Sequence, residues 1–164
     1  MSAKIRLQRG FSLIGKSDVR YKITSGNHSM DKITLQDFYN DSKLSDTWVV
    51  LRRQKNVPVG VIELTIHMEK VEGVPEYANM FMYVLVVELL AVDVSTQGKG
   101  IGTDLMAVAE NVGQTLNAYE ISLEAVEDKI NFYEALGYKK IGSRYLDPEW
   151  GYLTHMRKKI EWFP

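Results

Sequence analysis

Residues 81–116 of this 164-residue chain, FMYVLVVELLAVDVSTQGKGIGTDLMAVAENVGQTL, decide its fold, because they join a long apolar run to an amphipathic helix through a glycine-rich turn. The run 81–92 contains one charge, Glu88, and its length and β-branched content predict a central strand buried on both faces. From Thr103 to Leu116, apolar residues recur at helical spacing. A strand followed by such a crossover helix predicts a parallel neighbour for the central strand.

The segments on either side of this unit predict further strands and helices. Upstream, the pattern predicts short strands at 5–7 and 21–24, a short helix capped by Thr34, and a hairpin made of 48–52 and 59–67. Downstream, it predicts a strand at 121–126, a short helix at 128–136 closed by Gly137, and two last strands around 138–143 and 152–159 that flank the turn LDPEWG. We therefore expect residues 1–164 to form a single α/β (α+β) domain, with antiparallel strands first and then strand–helix–strand–helix–strand.

The composition is that of an ordinary globular protein and narrows the function classes. Hydrophobic residues make up 45% and charged residues 25% of the chain, and the net charge of −1 favours neither nucleic acid nor an anionic membrane. Cysteine is absent, which excludes disulfides, thiolate nucleophiles and cysteine-ligated zinc. The run 81–92 is too short to span a bilayer, and the N-terminus lacks the apolar core of a signal peptide. A cytoplasmic enzyme or binding protein is expected.

The glycine-rich turn Gln97–Gly102, QGKGIG, has the placement of a phosphate-binding site. It lies where a helix begins, and helix N-termini carry unpaired N–H groups and partial positive charge. Glycines let the backbone approach phosphate oxygens, while Lys99 can add a charge-assisted contact and Thr103 can donate a hydrogen bond. The alternative is a tight turn without a ligand. The Walker pattern and the dinucleotide fingerprint both fail, because Gly100 follows Lys99 and the final glycine spacing is wrong.

Two motifs resemble those of the GNAT superfamily of N-acetyltransferases. Gln97, Gly100 and Gly102 match its Gln/Arg-x-x-Gly-x-Gly/Ala pattern, and NFYEALGYKKIG, residues 131–142, is similar to its FYEKLGF-type segment. The intervening order fits as well, because LLAVDVSTQ before the turn resembles the family's splayed central strand, whose backbone amides hold the pantetheine arm. The resemblance implies a mixed, mostly antiparallel central sheet flanked by helices, and transfer of an acetyl group from acetyl-CoA to an amine.

The same resemblance implies which residues bind acetyl-CoA. They are Leu90, Val92, Val94, Gln97, Gly98, Lys99, Gly100, Ile101, Gly102, Thr103 and Asn131. Asn131 stands closer to Tyr133 than the family's asparagine does, and VEDK, residues 126–129, fills the usual asparagine position, so a different contact is expected from Asn131. No histidine and carboxylate spacing is typical of a metal site, and we expect no metal.

Catalysis by acyl transfer needs a base for the amine and an acid for the leaving thiolate. Tyr133 occupies the family's tyrosine position, which implies that it is the general acid, since a phenol with a pKa near ~10 is protonated at neutral pH. Packing within its own helix is the alternative. Glu88 is the leading base candidate, because burial in an apolar strand is expected to raise its pKa. An outward carboxylate beside a basic neighbour is the alternative, and Glu63, Glu124 and His67 are weaker candidates.

The acceptor is left open by the sequence. The segments that choose it in the resembling family correspond to residues 26–46, 69–80 and 144–152, and they carry no motif. A small-molecule or peptide amine is expected rather than nucleic acid. Two alternatives are a toxin-type acetyltransferase acting on aminoacyl-tRNA and a non-catalytic acyl-CoA sensor or partner-binding domain. Monomer and homodimer are equally compatible with the sequence.

Overall fold

The computed structural model describes residues 11–13, 47–55, 57–71, 73–75, 78 and 80–161. In this part of the chain, eight strands form one sheet and two α-helices cross it. The strands are β1 (Phe11–Leu13), β2 (Thr47–Gln54), β3 (Val57–Lys70), β4 (Phe81–Val92), β5 (Glu120–Val126), β6 (Lys139–Lys140), β7 (Tyr145–Asp147) and β8 (Gly151–Lys159). The helices are α1 (Ile101–Thr115) and α2 (Ile130–Ala135), and each follows a short 3-10 turn, Val94–Thr96 and Glu127–Lys129.

The sheet is antiparallel except at its centre. Its order is β1-β2-β3-β4-β5-β8-β6, with β7 also paired to β8. Strands β4 and β5 are parallel, and α1 forms the connection between them. The predicted mixed α/β class, the central strand and its parallel neighbour are thus confirmed.

Helix α1 places the main core on one face of the sheet. Its buried side chains Leu105, Met106 and Val112 pack in one cluster with Leu85 of β4 and Ile121 of β5. These five side chains are 2% exposed or less, as expected for an apolar helix stripe laid on central strands. The packing fixes where α1 begins, and therefore where the glycine-rich turn lies relative to β4.

The ends of the chain differ from the sequence-based expectation. The expected strands at 5–7 and 21–24 and the helix capped by Thr34 lie outside the described residues, and β1 was not expected. The strand expected around 138–143 is reduced to β6, because a bend with Gly142 at φ 74° follows it. A separate β7 then forms a hairpin with β8 across the predicted LDPEWG turn, in which Asp147 Oδ1 accepts the backbone N–H groups of Glu149 and Trp150.

The helix boundaries are also sharper than expected. Helix α1 begins two residues before the predicted Thr103, and α2 starts at Ile130 because the 3-10 turn takes up the residues before it. Gly137, at φ 94°, follows the last turn of α2 as predicted. Among the described residues, no helix combines the length and apolar content needed to cross a membrane.

Candidate active site

A wedge-shaped opening separates β4 from β5 at the centre of the sheet. Their parallel ladder runs only from Val84–Glu120 to Val87–Leu123, whereas β4 continues to Val92 with β3 as its partner. Beyond Val87, the backbone groups of β4 that face β5 therefore have no strand to pair with in this ladder. Such groups are available to hydrogen-bond an extended ligand.

A β-bulge at Glu88 marks the point where the two strands diverge. On β3, Glu63 lies opposite Leu89 and the next residue, Leu64, lies opposite Val87, so Glu88 is the extra residue of β4. A bulge bends its strand and re-aims the side chain at that point. This local distortion turns the end of β4 away from β5 and opens the wedge.

The glycine-rich turn lies at the wide end of the wedge. Gly98 and Gly100 have φ angles of 78° and 81°, which favour glycine, and Gly100 is the residue from which α1 starts. Gly102 lies so close to α2 that an added Cβ would be 3.3 Å from Phe132 Cζ. The side chain of Gln97 donates from Nε2 to the carbonyl oxygen of Val92 at 3.2 Å, which ties the turn to the end of β4.

A cleft of about 400 Å³ lies between this turn and α2. One wall is formed by β4, the turn and the start of α1, and the other by α2 and the 3-10 turn before it. Its lining residues are Leu90, Val92, Thr96, Gln97, Gly98, Gly100, Ile101, Gly102, Thr103, Lys129, Phe132 and Tyr133. The first N–H groups of α1, which have no partner within the helix, thus lie beside a partly open cleft with apolar and polar lining residues.

Most of the predicted donor-site residues are brought together here, but Lys99 and Asn131 are not in the lining. Lys99 is exposed at the turn and Asn131 is exposed on α2, while the backbone of Val94 falls in the 3-10 turn after β4. Thr96, Lys129 and Phe132 also line the cleft, and sequence reasoning missed all three. Phe132 could have been found, because it is an aromatic residue next to Tyr133. Nothing in the sequence placed Lys129 against β4.

A second cavity of about 160 Å³ continues from the cleft into the wedge. Leu90, Lys129 and Tyr133 line both spaces. The remaining residues of the second cavity are Val87, Glu88, Leu89, Leu123, Glu124, Val126, Trp150 and Leu153. A long ligand in the cleft and a smaller one in this cavity would therefore meet beside Tyr133.

Tyr133 is buried at the junction of the two spaces. Its ring makes edge-to-face contacts with Phe132 at a centroid distance of 5.0 Å and with Tyr138 at 6.0 Å. Only 8% of the residue is exposed, and this burial raises the pKa of Tyr133 above that of an ordinary phenol. The hydroxyl is therefore protonated at neutral pH. Tyr133 both packs in the core and lines the two spaces.

Glu88 is not buried, so the expectation based on its apolar neighbours is wrong. The bulge turns its side chain outward, and 43% of it is exposed. Thr65 donates from Oγ1 to Glu88 Oε1 at 2.7 Å, and His67 Nε2 lies 3.0 Å from the same Thr65 oxygen. Because the single hydroxyl proton of Thr65 goes to Glu88, His67 must donate through Nε2. A polar chain therefore runs from His67 through Thr65 to Glu88.

The two weaker glutamate candidates for the base differ in whether they line the site. Glu63 is buried and lies outside both linings, whereas Glu124 lines the second cavity across from Glu88. Among the described residues, no group of three histidine, cysteine or carboxylate side chains is placed to hold a metal ion. Two carboxylates and one phenol are thus the titratable groups brought together with Lys129 around this cavity.

A larger open depression of about 720 Å³ lies near the other edge of β4. It is lined by Arg52, Arg53, Lys55 and Asp93, among others, and none of the predicted site residues with a described side chain is among them. The cleft beside the glycine-rich turn is the better candidate, because it combines a helix N-terminus, an unpaired strand edge and a buried phenol.

Comparison with known proteins identifies the family. Residues 43–140, more than half of the chain, match the family model described as an acetyltransferase (GNAT) domain. A search of curated proteins finds no match.

Solved structures with the same fold include a bacterial toxin, with a TM-score of 0.68 and 21% identity over 92% of this chain and 89% of that chain. AtaTR bound with acetyl-CoA has a TM-score of 0.63 and 17% identity over 88% and 92% of the two chains. AtaT complexed with acetyl-methionyl-tRNAfMet has a TM-score of 0.62 and 17% identity over 87% and 92%. Taken with the wedge, the turn and the buried tyrosine, the family match shows that this chain belongs to the GNAT acetyltransferases.

Proposed function

We infer that this protein is an N-acetyltransferase that moves the acetyl group of acetyl-CoA directly to an amine acceptor. The observation that carries the proposal is the position of Tyr133, which lines both the cleft beside the α1 N-terminus and the smaller cavity in the wedge. A two-substrate transfer needs such a junction, because the thioester and the amine must meet at one point.

The cleft suits the donor in each of its parts. The pyrophosphate would lie against the first N–H groups of α1, where Gly98, Gly100 and Gly102 let the backbone come close. The pantetheine arm would extend along β4 beyond Val87, where its amides replace the missing strand. Its thiol end would then reach Tyr133.

The reaction needs no covalent enzyme intermediate. The amine nitrogen forms a bond to the acetyl carbon while the carbon–sulfur bond breaks, one proton leaves the nitrogen and one reaches the sulfur. Acetyl-CoA and amine thus give the N-acetylated amine and CoA. Tyr133 would donate a hydrogen bond to the developing thiolate, and its proton would follow as the bond breaks.

Glu88 would receive the proton from the amine. Thr65 donates to Oε1 of this carboxylate, and the Glu88 side chain lines the second cavity. Thr65 and His67 would hold the carboxylate in one orientation, and the exposed His67 would connect it with solvent. A water between Glu88 and the amine fits the same arrangement.

A small amine or a peptide amine suits the second cavity better than aminoacyl-tRNA. Glu88 and Glu124 place two carboxylates around it with one cation, Lys129. This balance is unfavourable for the phosphate backbone of a nucleic acid, which is bound mainly through lysine and arginine. The similarity to AtaT shows a common fold and does not extend to its acceptor.

The function is tested by measuring CoA release from acetyl-CoA with alkylamines, arylamines, peptides and aminoacyl-tRNA as acceptors. We expect release with at least one small or peptide amine, together with a product 42 Da heavier by mass spectrometry, about the mass of one acetyl group in place of hydrogen. Release with aminoacyl-tRNA alone would support the toxin-type alternative. If acetyl-CoA raises Tm but no acceptor is acetylated, the protein is an acyl-CoA sensor.

Gly102→Val should weaken acetyl-CoA binding by about tenfold or more. The new side chain would enter the space between α1 and Phe132, where a Cβ alone is 3.3 Å from the ring, and would displace a phosphate from its N–H donors. One lost hydrogen bond to a charged group has about this effect on a dissociation constant. Calorimetric titration with acetyl-CoA measures it.

Ala107→Val is the matched control for this substitution. It places the same β-branched residue in α1, at an exposed position outside the cleft. It should keep the wild-type Kd for acetyl-CoA. Equal losses of affinity in the two variants would mean that a β-branched residue weakens binding by disturbing α1, and not by filling the cleft at Gly102.

Thr65→Val should lower kcat/KM for the amine by about tenfold without changing the KM for acetyl-CoA. Valine has the shape of threonine but cannot connect His67 with Glu88, so one hydrogen bond to a charged group is lost. Steady-state kinetics with each substrate varied in turn measures the effect. Thr65→Ser keeps the hydroxyl and should restore most of the rate; a serine variant as slow as the valine variant would contradict the proposed chain.

A further inference from the structure

Glu124 has no role in the transfer steps described above, yet it lines the second cavity together with Glu88 and Tyr133. It follows Leu123, the last residue of β5 that is paired to β4, so it stands on the far side of the wedge from Glu88. We propose that Glu124 binds the ammonium group of the acceptor, and that the acceptor is a primary alkylammonium on an aliphatic stem. This inference rests on the proposed acetyltransferase function and names its substrate class.

A hydrogen-bonded chain on β8 fixes the position of the Glu124 carboxylate. Arg157 donates from Nε to His155 Nε2 at 2.8 Å, and an arginine N–H can only donate. His155 Nε2 is therefore the acceptor, and the ring proton lies on Nδ1. That atom is 2.7 Å from Glu124 Oε1, so His155 donates to Glu124. The arginine selects the histidine tautomer that the carboxylate requires.

The chain is anchored at its other end. Arg157 donates through Nη1 to Glu120 at 2.8 Å and to Glu69 at 3.1 Å, so its guanidinium has carboxylate partners on β5 and β3. Only 26% of each of the His155 and Arg157 side chains is exposed. The Arg157–His155–Glu124 chain thus lies on the paired strands β5 and β8 and is anchored by carboxylates of β5 and β3. Side chains held in this way keep one geometry when a ligand arrives.

The carboxylate still has acceptor capacity for a ligand. It accepts from His155 at Oε1, and it lies near the phenol of Tyr145, whose pKa it helps to raise. A carboxylate has about four lone-pair positions on its two oxygens, so two donors leave room for further ones. A primary ammonium supplies three N–H donors and a full positive charge, which complements this site in both respects.

The remaining residues that line the cavity indicate what the rest of the acceptor is like. Leu89, Leu123, Val126 and Leu153 are aliphatic, and Trp150 supplies an aromatic ring. A volume of about 160 Å³ has room for about five groups of the size of a water molecule. This suits an ammonium on a short alkyl stem. Once seated, the ammonium lies between Glu124, which binds it, and Glu88, which takes its proton before the neutral amine attacks the thioester.

Glu124→Gln tests this with two classes of acceptor, a primary alkylamine that is an ammonium at neutral pH and an arylamine that is neutral. For the alkylamine we expect KM to rise about tenfold or more, as for the loss of a hydrogen bond between charged groups, with kcat little changed. For the arylamine, KM should stay within about twofold of the wild-type value, since no charge is recognised. The KM for acetyl-CoA and the Tm serve as controls for binding of the donor and for folding.

His155 is tested as a positioning residue. His155→Leu should raise the KM for the alkylamine in the same direction as Glu124→Gln, and His155→Gln, which keeps an N–H donor, should restore part of the affinity. A purely structural role would lower Tm and change both classes of acceptor equally.

Two results would overturn the inference while leaving the enzyme function intact. One is a wild-type protein that acetylates arylamines in preference to alkylamines. The other is a Glu124→Gln variant whose KM for the alkylamine is unchanged. If the wild-type protein acetylates no amine at all, the proposed function itself fails, and the inference fails with it.

Discussion

Tyr133→Phe should lower kcat by about 10²- to 10⁴-fold, the range expected when a general acid is removed. The phenylalanine ring keeps the contacts with Phe132 and Tyr138, so the fold and the Kd for acetyl-CoA should be retained. The loss is confined to the step in which the thiolate leaves, because only the hydroxyl is removed. Rapid-quench kinetics at saturating acetyl-CoA, with calorimetry for the Kd, measures the two quantities separately.

Tyr138→Phe is the matched control. Tyr138 is also a buried tyrosine, and burial raises the pKa of its phenol as it does for Tyr133, but Tyr138 lines neither the cleft nor the second cavity. Its variant should keep the wild-type kcat. A normal turnover number for Tyr133→Phe would remove the general-acid role, and equal losses in the two variants would show that packing alone is responsible.

Glu88→Gln should lower kcat/KM for the amine by at least about 10²-fold, since glutamine keeps the shape of the side chain but cannot accept the proton. Thr65 can still donate to the amide oxygen, so the local geometry is preserved. The KM for acetyl-CoA should be unchanged. Initial rates with varied amine, at saturating acetyl-CoA, give the effect.

Comparison with Glu124→Gln separates the two carboxylates. Loss of the base acts on kcat, whereas loss of the ammonium partner acts on KM. Full activity in Glu88→Gln would mean that bulk water, and not Glu88, takes the proton from the amine. Glu88 would then be an outward carboxylate beside His67. In that case, of the proposed acid Tyr133 and the proposed base Glu88, only Tyr133 would take part in the chemistry.

The sequence predicted the centre of the fold well because the signals there are local. The apolar run of β4, the helical spacing of α1 and the glycines between them are contiguous, and each needs no distant residue to be recognised. The extents of 138–143 and of the last helix were less accurate, because a bend at Gly142 ends β6 early and the 3-10 turn Glu127–Lys129 takes up the residues before α2.

The error over Glu88 has a specific physical cause. The sequence predicted that the run 81–92 is a strand buried on both faces, so every side chain in it, Glu88 included, was expected to be buried. The bulge between Glu63 and Leu64 of β3 adds one residue on β4 and turns the Glu88 side chain toward solvent. A bulge depends on pairing with another strand, so a single strand's pattern does not reveal it.

By itself, the sequence determined the glycine-rich turn of the proposed donor site, since Gln97–Gly102 and the helix that follows are neighbours along the chain, and their backbone angles and N–H groups are set locally. Only the tertiary structure decided which residues form the proposed acceptor side. Glu124 and His155 are 31 residues apart and meet through the β5–β8 pairing, while Glu88 faces them across a wedge that exists only because β4 and β5 diverge. Long-range strand pairing decides which side chains share that cavity, and no local pattern encodes it.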